Sequence, residues 1–329
     1  MNPDTPPPSA DAPEIDAQTL DTPKLEAPKL DRRRNIYRAD LAAQSLRGQV
    51  DAARFAAPEP RQVQRASIAM RGEPNPAAML DNEALFGEWV DVYDDHDGWA
   101  WVQLARDRYT GYVASDALAP EPLVPTHRVS AAGTFVYTNA DIKSPPLLLL
   151  SMNAALTLTS IGDRFGQLAH GGFIIMRHVA PIAKPALDFV EIAERFTGTP
   201  YLWGGRTRMG LDCSALVQIA MEAAGLECPR DSDMQKAEVG AAVDPAIDAD
   251  ANFDRLQRGD LVFWKGHVGI MLDAVMLLHA NAHHMAVAAE PLAYAAERIA
   301  KAGGGPVTAI KRNPTRAHQS TGSENHAVS

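Results

Sequence analysis

The chain has 329 residues, 46% hydrophobic and 22% charged, which fits a globular protein of two or three domains. Its net charge of −10 argues against a nucleic acid partner. Two cysteines cannot build a disulfide framework, and the longest purely aliphatic run, 147–150, is far short of a membrane span.

Residues 1–34 form a leader, Pro- and Asp-rich over 1–31, with no apolar periodicity; a disordered or extended segment is expected there. It lacks a basic stretch followed by an apolar one, so no secretory signal is expected and a cytoplasmic location is. Arg32, Arg33 and Arg34 form a basic cluster, read as a solvated approach to the first strand. Residues 35–119 alternate strand-like runs with turn signals. The clearest hairpin joins 99–104, rich in tryptophan, to 109–113 through a turn near Asp107 and Arg108. A weaker echo occupies 124–180, with apolar runs at 133–137 and 171–176, so two small SH3-like β-barrels are expected. Pro181 and Pro185 then punctuate a linker, and 186–196 carries Phe189, Ile192, Ala193 and Phe196 at helical spacing.

The stretch 199–218, TPYLWGGRTRMGLDCSALVQ, carries the clearest chemical signal. Glycines 204, 205 and 210 mark a loop after Tyr201-Leu202-Trp203. Asp212 stands at the N-cap of an apolar-periodic segment running from Cys213 to about Ala224, with Gly225 as its stop. A thiol at a helix N-terminus meets unpaired N–H groups and partial positive charge, which predicts a thiolate nucleophile with a place for an oxyanion. A free cysteine is otherwise a buried small hydrophobe, and Cys228, past Gly225, is read that way.

A nucleophile of this kind needs a base and a group to orient it. Val262 to Trp264, Val268 to Leu272 and the run 275–280 read as short buried strands. His267 opens the second and His279 lies in the third, so an antiparallel arrangement brings the two imidazoles together. Cys213, His267 and His279 then serve as nucleophile, base and orienter. Strands at 286–290 and 307–311 with a helix at 292–302 between them complete the domain, and 238–255 is an acidic surface excursion. Arg230 reads equally as a partner for a substrate carboxylate or for Asp231.

The segments GTPYLWGG, LDCSALVQ, PRDSDMQ, RGDLVFW, HVGIML and LLHA, in this order, resemble the NlpC/P60 family of cysteine peptidases over residues 183–312. The resemblance implies an α+β, papain-like fold with the cysteine helix on an antiparallel sheet, leaving 313–329 as a polar tail. It implies cleavage of γ-D-glutamyl bonds to a diamino acid in murein stem peptides, with Cys213, His267 and His279 in the roles above. Tyr201 would stand near the oxyanion, and Asp212, Ser214 and Ser232 would contact the substrate; Trp203 and Arg230 are counted beside them as candidate substrate contacts. Phe86-Gly87-Glu88, the Trp99/Trp101 strand and Gly111-Tyr112-Val113 resemble the bacterial SH3 domain of dipeptidyl-peptidase VI type enzymes. That likeness implies that Glu88 and Tyr112 hold the free amine of an N-terminal L-alanine, since a carboxylate beside an ammonium makes a strong charge-assisted bond.

No cofactor or metal is expected. Three other readings compete: a metal site built from His279, His283, His284 and Cys213, which a strand at 279 disfavours; an inactive cleft that tethers wall fragments; and an amidase or acyltransferase using the same thiol chemistry on another amide.

Overall fold

The computed structural model describes residues 30–243, 253 and 255–313. The expectations for 1–29, for most of the excursion at 244–254 and for the tail from 314 lie outside the described residues.

The first barrel is built on a five-stranded antiparallel sheet ordered Thr110–Ala114, Trp99–Leu104, Trp89–His96, Glu59–Val63 and Leu118–Ala119, with the hairpin Ser67–Met70/Asn82–Leu85 beside it. Along these strands apolar residues alternate inward; Val63, Met70, Val90, Val102, Leu104 and Val113 make its core. Trp101 pairs with Tyr112 across the expected hairpin, their rings stacked at 6.1 Å.

The second barrel has a five-stranded sheet ordered Pro146–Ser151, Gly133–Tyr137, Phe173–Ile175, Phe165–Leu168 and Leu158–Ile161. A three-stranded sheet, with His127–Val129 at its centre, completes it. Its core of Val129, Val136, Leu150, Leu156 and Ile174 also takes in Phe86 from the first barrel. Gly87 has φ +77°, and a Cβ there would stand 2.0 Å from the Ala155 carbonyl oxygen, so only glycine allows the two barrels to meet this closely.

The remaining domain is a six-stranded antiparallel sheet ordered Ala241–Ala242, Ala309–Arg312, Leu261–Trp264, His267–Met271, Met276–Asn281 and Ala286–Pro291. Helix α1 (Phe189–Glu194) is shorter than the periodicity predicts: Asp188 caps it by accepting from the Val190 N–H, and the chain turns at Thr197-Gly198. Helix α2 (Cys213–Ala223) packs with α1 on one face of the sheet, burying Leu216, Val217, Ile219 and Ala220 against Val268, Ile270 and Leu278. Each fully buried aliphatic side chain there is worth about 1.5–3 kcal/mol. Helix α3 (Ser232–Glu238) follows α2, and helix α4 (Leu292–Lys301) covers the opposite face with Leu292 and Ala295 on Val262, Trp264 and Leu277.

The basic cluster departs from its expected solvated role. The Arg32 and Arg33 carbonyls accept from Thr110, and the Arg34 carbonyl from Gln103, so the segment is sewn along the first barrel. Its side chains reach α3 instead: Arg33 pairs with Asp231 and Asp233, and Arg34 with Glu238.

Candidate active site

The N-terminus of α2 is organised by one carboxylate. Asp212 accepts from the Ala215 N–H at 2.8 Å through Oδ1 and from the Gly204 N–H at 3.0 Å through Oδ2, fixing both the cap and the loop before it. Gly204 has φ +73° and lies where a Cβ would be 2.3 Å from the Leu80 carbonyl oxygen of the first barrel. Arg230 is fully buried and grips both Asp212 oxygens, at 2.9 and 2.6 Å. Its remaining donors go to Asn82 of the first barrel and to the Ser214 hydroxyl. The partner of Arg230 is therefore Asp212, which was neither of the two expected alternatives, a substrate carboxylate or Asp231. Asp212, Ser214 and Arg230 form a closed hydrogen-bonded knot at the start of α2; Arg230 is sealed within it, while Asp212 and Ser214 also line the cleft. Deleting one member of such a buried pair costs about 3–5 kcal/mol, because the other charge is left uncompensated.

Cys213 borders a cleft of about 310 Å³ whose lining also includes Trp203, Asp212, Ser214, Ser232 and Gly266, together with Arg33, Asp81, Tyr109, Asp231 and Asp233. The thiol is not the depressed one expected. Burial pushes it up to about 12, the Asp212 charge adds to this, and a hydrogen bond from the Val268 N–H pulls weakly the other way. The helix N-terminus is outweighed by desolvation.

Gly266, with φ +74°, lets the chain reverse in two residues so that Trp264 pairs with His267. His267 Nε2 lies 2.8 Å from His279 Nδ1, and the rings are 5.0 Å apart at 57°. The structure therefore brings together the two histidines as the sheet register implied. Burial lowers His267 to about 3 and His279 to about 4, so both rest as neutral imidazoles. Tyr201 is half-buried beside this centre; its hydroxyl is pushed up by burial and by the neighbouring Cys213. Trp203 is exposed on the cleft wall. Cys228 is buried, its thiol directed at the Pro229 carbonyl, away from the cleft.

Glu88 and Tyr112 are not brought to the cleft. Glu88 is 8% exposed, accepts from the Leu85 N–H and pairs with Arg206, itself 0% exposed, at 2.9 and 3.1 Å. Arg206 also holds Gln218 and Glu222 of α2, and Arg106 pairs with Glu88 and Glu222 beside it. Glu88 is a junction between domains, fixed by a buried cation. The Tyr112 hydroxyl accepts from Arg38 on the barrel's other side, while its ring covers Trp101.

The barrel instead offers Asp81 and Tyr109, which neither residue type nor spacing singled out. Burial raises the carboxyls of Asp81 and Asp231 above the ordinary range. Tyr109 donates to Asp231 at 3.4 Å, and Arg33 Nη1 donates to the same carboxylate at 2.9 Å while binding Asp233 at 2.7 Å through Nη2. Glu290, 2.9 Å from His279 Nε2, was also missed. The hairpin register His279↔Ala288 puts it diagonally across from His279, a signal available once the strands are aligned. Among the described residues no helix is long and apolar enough to cross a membrane.

Comparison with known proteins agrees with this architecture. Residues 198–303 match the NlpC/P60 family, and residues 70–118 match the bacterial dipeptidyl-peptidase Sh3 domain. The chain is 28% identical over 233 residues to dipeptidyl-peptidase 6 of Lysinibacillus sphaericus, covering 64% of this chain and 83% of that one. It is 26% identical over 223 residues to a gamma-D-glutamyl-L-lysine dipeptidyl-peptidase of Bacillus subtilis, covering 61% and 72%. In fold it is similar to an NlpC/P60 family protein of Bacillus cereus, with a TM-score of 0.62 at 21% identity, over 77% of this chain and 99% of the other.

Proposed function

Because the chain belongs to the NlpC/P60 family, we propose that it is a cysteine endopeptidase that hydrolyses the γ-D-glutamyl-diamino acid bond of murein stem peptides carrying a free N-terminal L-alanine. The observation that carries this reading is a cysteine at the start of α2, bordering a cleft, with the His267–His279 pair on adjoining strands and Asp81, Asp231 and Asp233 lining the same cleft.

His267 is the general base. Thiol and imidazole both rest neutral, so the proton moves from Cys213 to His267 as sulfur approaches the carbonyl carbon, rather than beforehand. The tetrahedral oxyanion faces the first turn of α2 and the Tyr201 hydroxyl. The diamino acid amine leaves with the proton held by His267, and water then hydrolyses the thioester with the same imidazole as base.

The acidic end selects the substrate. Asp81, Asp231 and Tyr109 surround the place of the substrate ammonium, taking over the part expected of Glu88 and Tyr112. Burial raises both carboxyls, Asp231 even beside Arg33, and a substrate ammonium would favour their charged forms through charge-assisted bonds. Ser232 and the exposed face of Trp203 border the peptide between the two ends.

Mass spectrometry of products from L-Ala-γ-D-Glu-diamino acid, beside its N-acetylated form, tests the assignment. Release of L-Ala-D-Glu from the free-amine peptide alone is expected. Equal cleavage of both removes the acidic gate, and cleavage of neither removes the peptidase reading.

A further inference from the structure

Behind the two histidines the hydrogen-bonded chain continues. His267 Nε2 meets His279 Nδ1 at 2.8 Å, and His279 Nε2 meets Glu290 Oε1 at 2.9 Å. His279 is fully buried, and Arg298 of α4 contacts the same Glu290 oxygen through Nη2. From the loop after the His279 strand, His284 Nδ1 stands 4.0 Å from that oxygen and is itself bonded to Asn281 at 3.0 Å. Among the described residues, the titratable or charged neighbours that face Glu290 are His279 from the adjoining strand, His284 from the loop and Arg298 from the helix, with His267 one step further along the chain of bonds.

We propose that Glu290 is a positioning residue which, through His279, fixes the tautomer of His267 and so leaves the Nδ1 lone pair of His267 to take the Cys213 proton. This rests on the peptidase reading above. Burial would push the Glu290 carboxyl up, but hydrogen bonds from His279 and Arg298 hold it below its ordinary range, so it is a carboxylate. A carboxylate only accepts, so His279 Nε2 carries a proton. A neutral His279 then presents a lone pair at Nδ1, and the 2.8 Å contact requires His267 Nε2 to donate. Nδ1 of His267 is the basic atom that remains. When it takes the thiol proton, the positive charge is relayed toward Glu290. Arg298 opposes that stabilisation by sharing the carboxylate, and its charge lowers both imidazoles.

The ligand atoms of His279, His284 and Glu290 lie within 4.8 Å of one another, close enough for a divalent cation. A cation there would take the Nε2 lone pair of His279 and reverse the relay, while Arg298 already supplies positive charge to Glu290.

The test is the pH profile of kcat/KM for Glu290→Gln and Arg298→Gln on the free-amine tripeptide, with Cys213→Ala as control. Glu290→Gln should lower kcat about 10–100-fold with KM within about twofold, and move the acidic limb down by about one pH unit. Arg298→Gln should move the limb up. Opposite shifts are not produced by a general loosening of the fold, and Glu290→Asp should recover part of the rate. Should Glu290→Gln not fold, histidine-selective ¹⁵N NMR of Cys213→Ala decides instead: His267 must show a protonated Nε2 and a bare Nδ1. A bare Nε2, shifts in the same direction, or activity that depends on added Zn²⁺ would overturn the proposal. Activity retained by Cys213→Ala would instead overturn the peptidase reading beneath it.

Discussion

Both barrels hold the C-terminal half of the cysteine helix, the first through Arg106 and Glu222, but among the described contacts the first alone also reaches its N-terminal end. The first meets its N-terminal end: Asn82 holds Arg230, Leu80 abuts Gly204, and Asp81 and Tyr109 enter the cleft. The second meets its back and C-terminal end: Met152 joins the helix core, Asn153 donates to the Ile219 carbonyl and Arg128 to the Ala223 carbonyl. The first contact bears on what reaches the sulfur, the second on how firmly the helix is held. A barrel's address on the helix, more than its fold, decides which role it has.

That contrast can be broken experimentally. The largest effect belongs to the common target: Cys213→Ala should abolish turnover, about 10⁴-fold or more, while peptide binding persists by calorimetry. Next, Asp81→Asn with Tyr109→Phe should lower kcat/KM for the free-amine tripeptide about 10²-fold, mostly through KM. A loss that falls on kcat with KM unchanged would remove the distinction between the barrels. Met152→Ala, from the second barrel, should cost about 2–4 kcal/mol in denaturant unfolding with the amine preference intact.

A pH scan sharpens the picture with a smaller effect. His267 and His279 are held below their unfolded value, near 6.5, so the unfolded chain binds more protons as pH falls. Stability contributed by their neutrality is complete above about pH 6.5 and is lost as pH falls toward about 3 to 4. Replacing His267 by Gln should flatten that part of the thermal stability curve; an unchanged slope would mean the imidazole is not buried neutral.

The reaction centre was legible because its signals are local. Asp212 before Cys213 is a cap, Gly266 before His267 is a turn, and apolar alternation aligns His267 with His279. The ionisation of Cys213 was misjudged because a helix terminus is visible in sequence, whereas the depth of burial that outweighs it is not. Glu88 and Tyr112 were expected at the cleft, whose lining does not include them, for a related reason. Glu88 looks like an exposed carboxylate until Arg206, 118 residues away in sequence, is seen to bury it. Asp81 and Tyr109 gain meaning only from the loop that lays them on the cleft. Arg33 was read as solvated because its partners on α3 lie 198 and 200 residues further on.

The Phe86-Gly87-Glu88 junction has a practical outcome for anyone wishing to shorten this chain. Phe86 fills one neighbour, Gly87 lies flush against it, and Glu88 neutralises a guanidinium sealed inside the other. An excised peptidase fragment would keep Arg206 and its partner Glu222 but forfeit Glu88, the other of these two counter-ions, and would open that interior to water. The modules are fused at this tripeptide, not strung like beads, and trading one for a homologous barrel would require the replacement to bring its own matching acid.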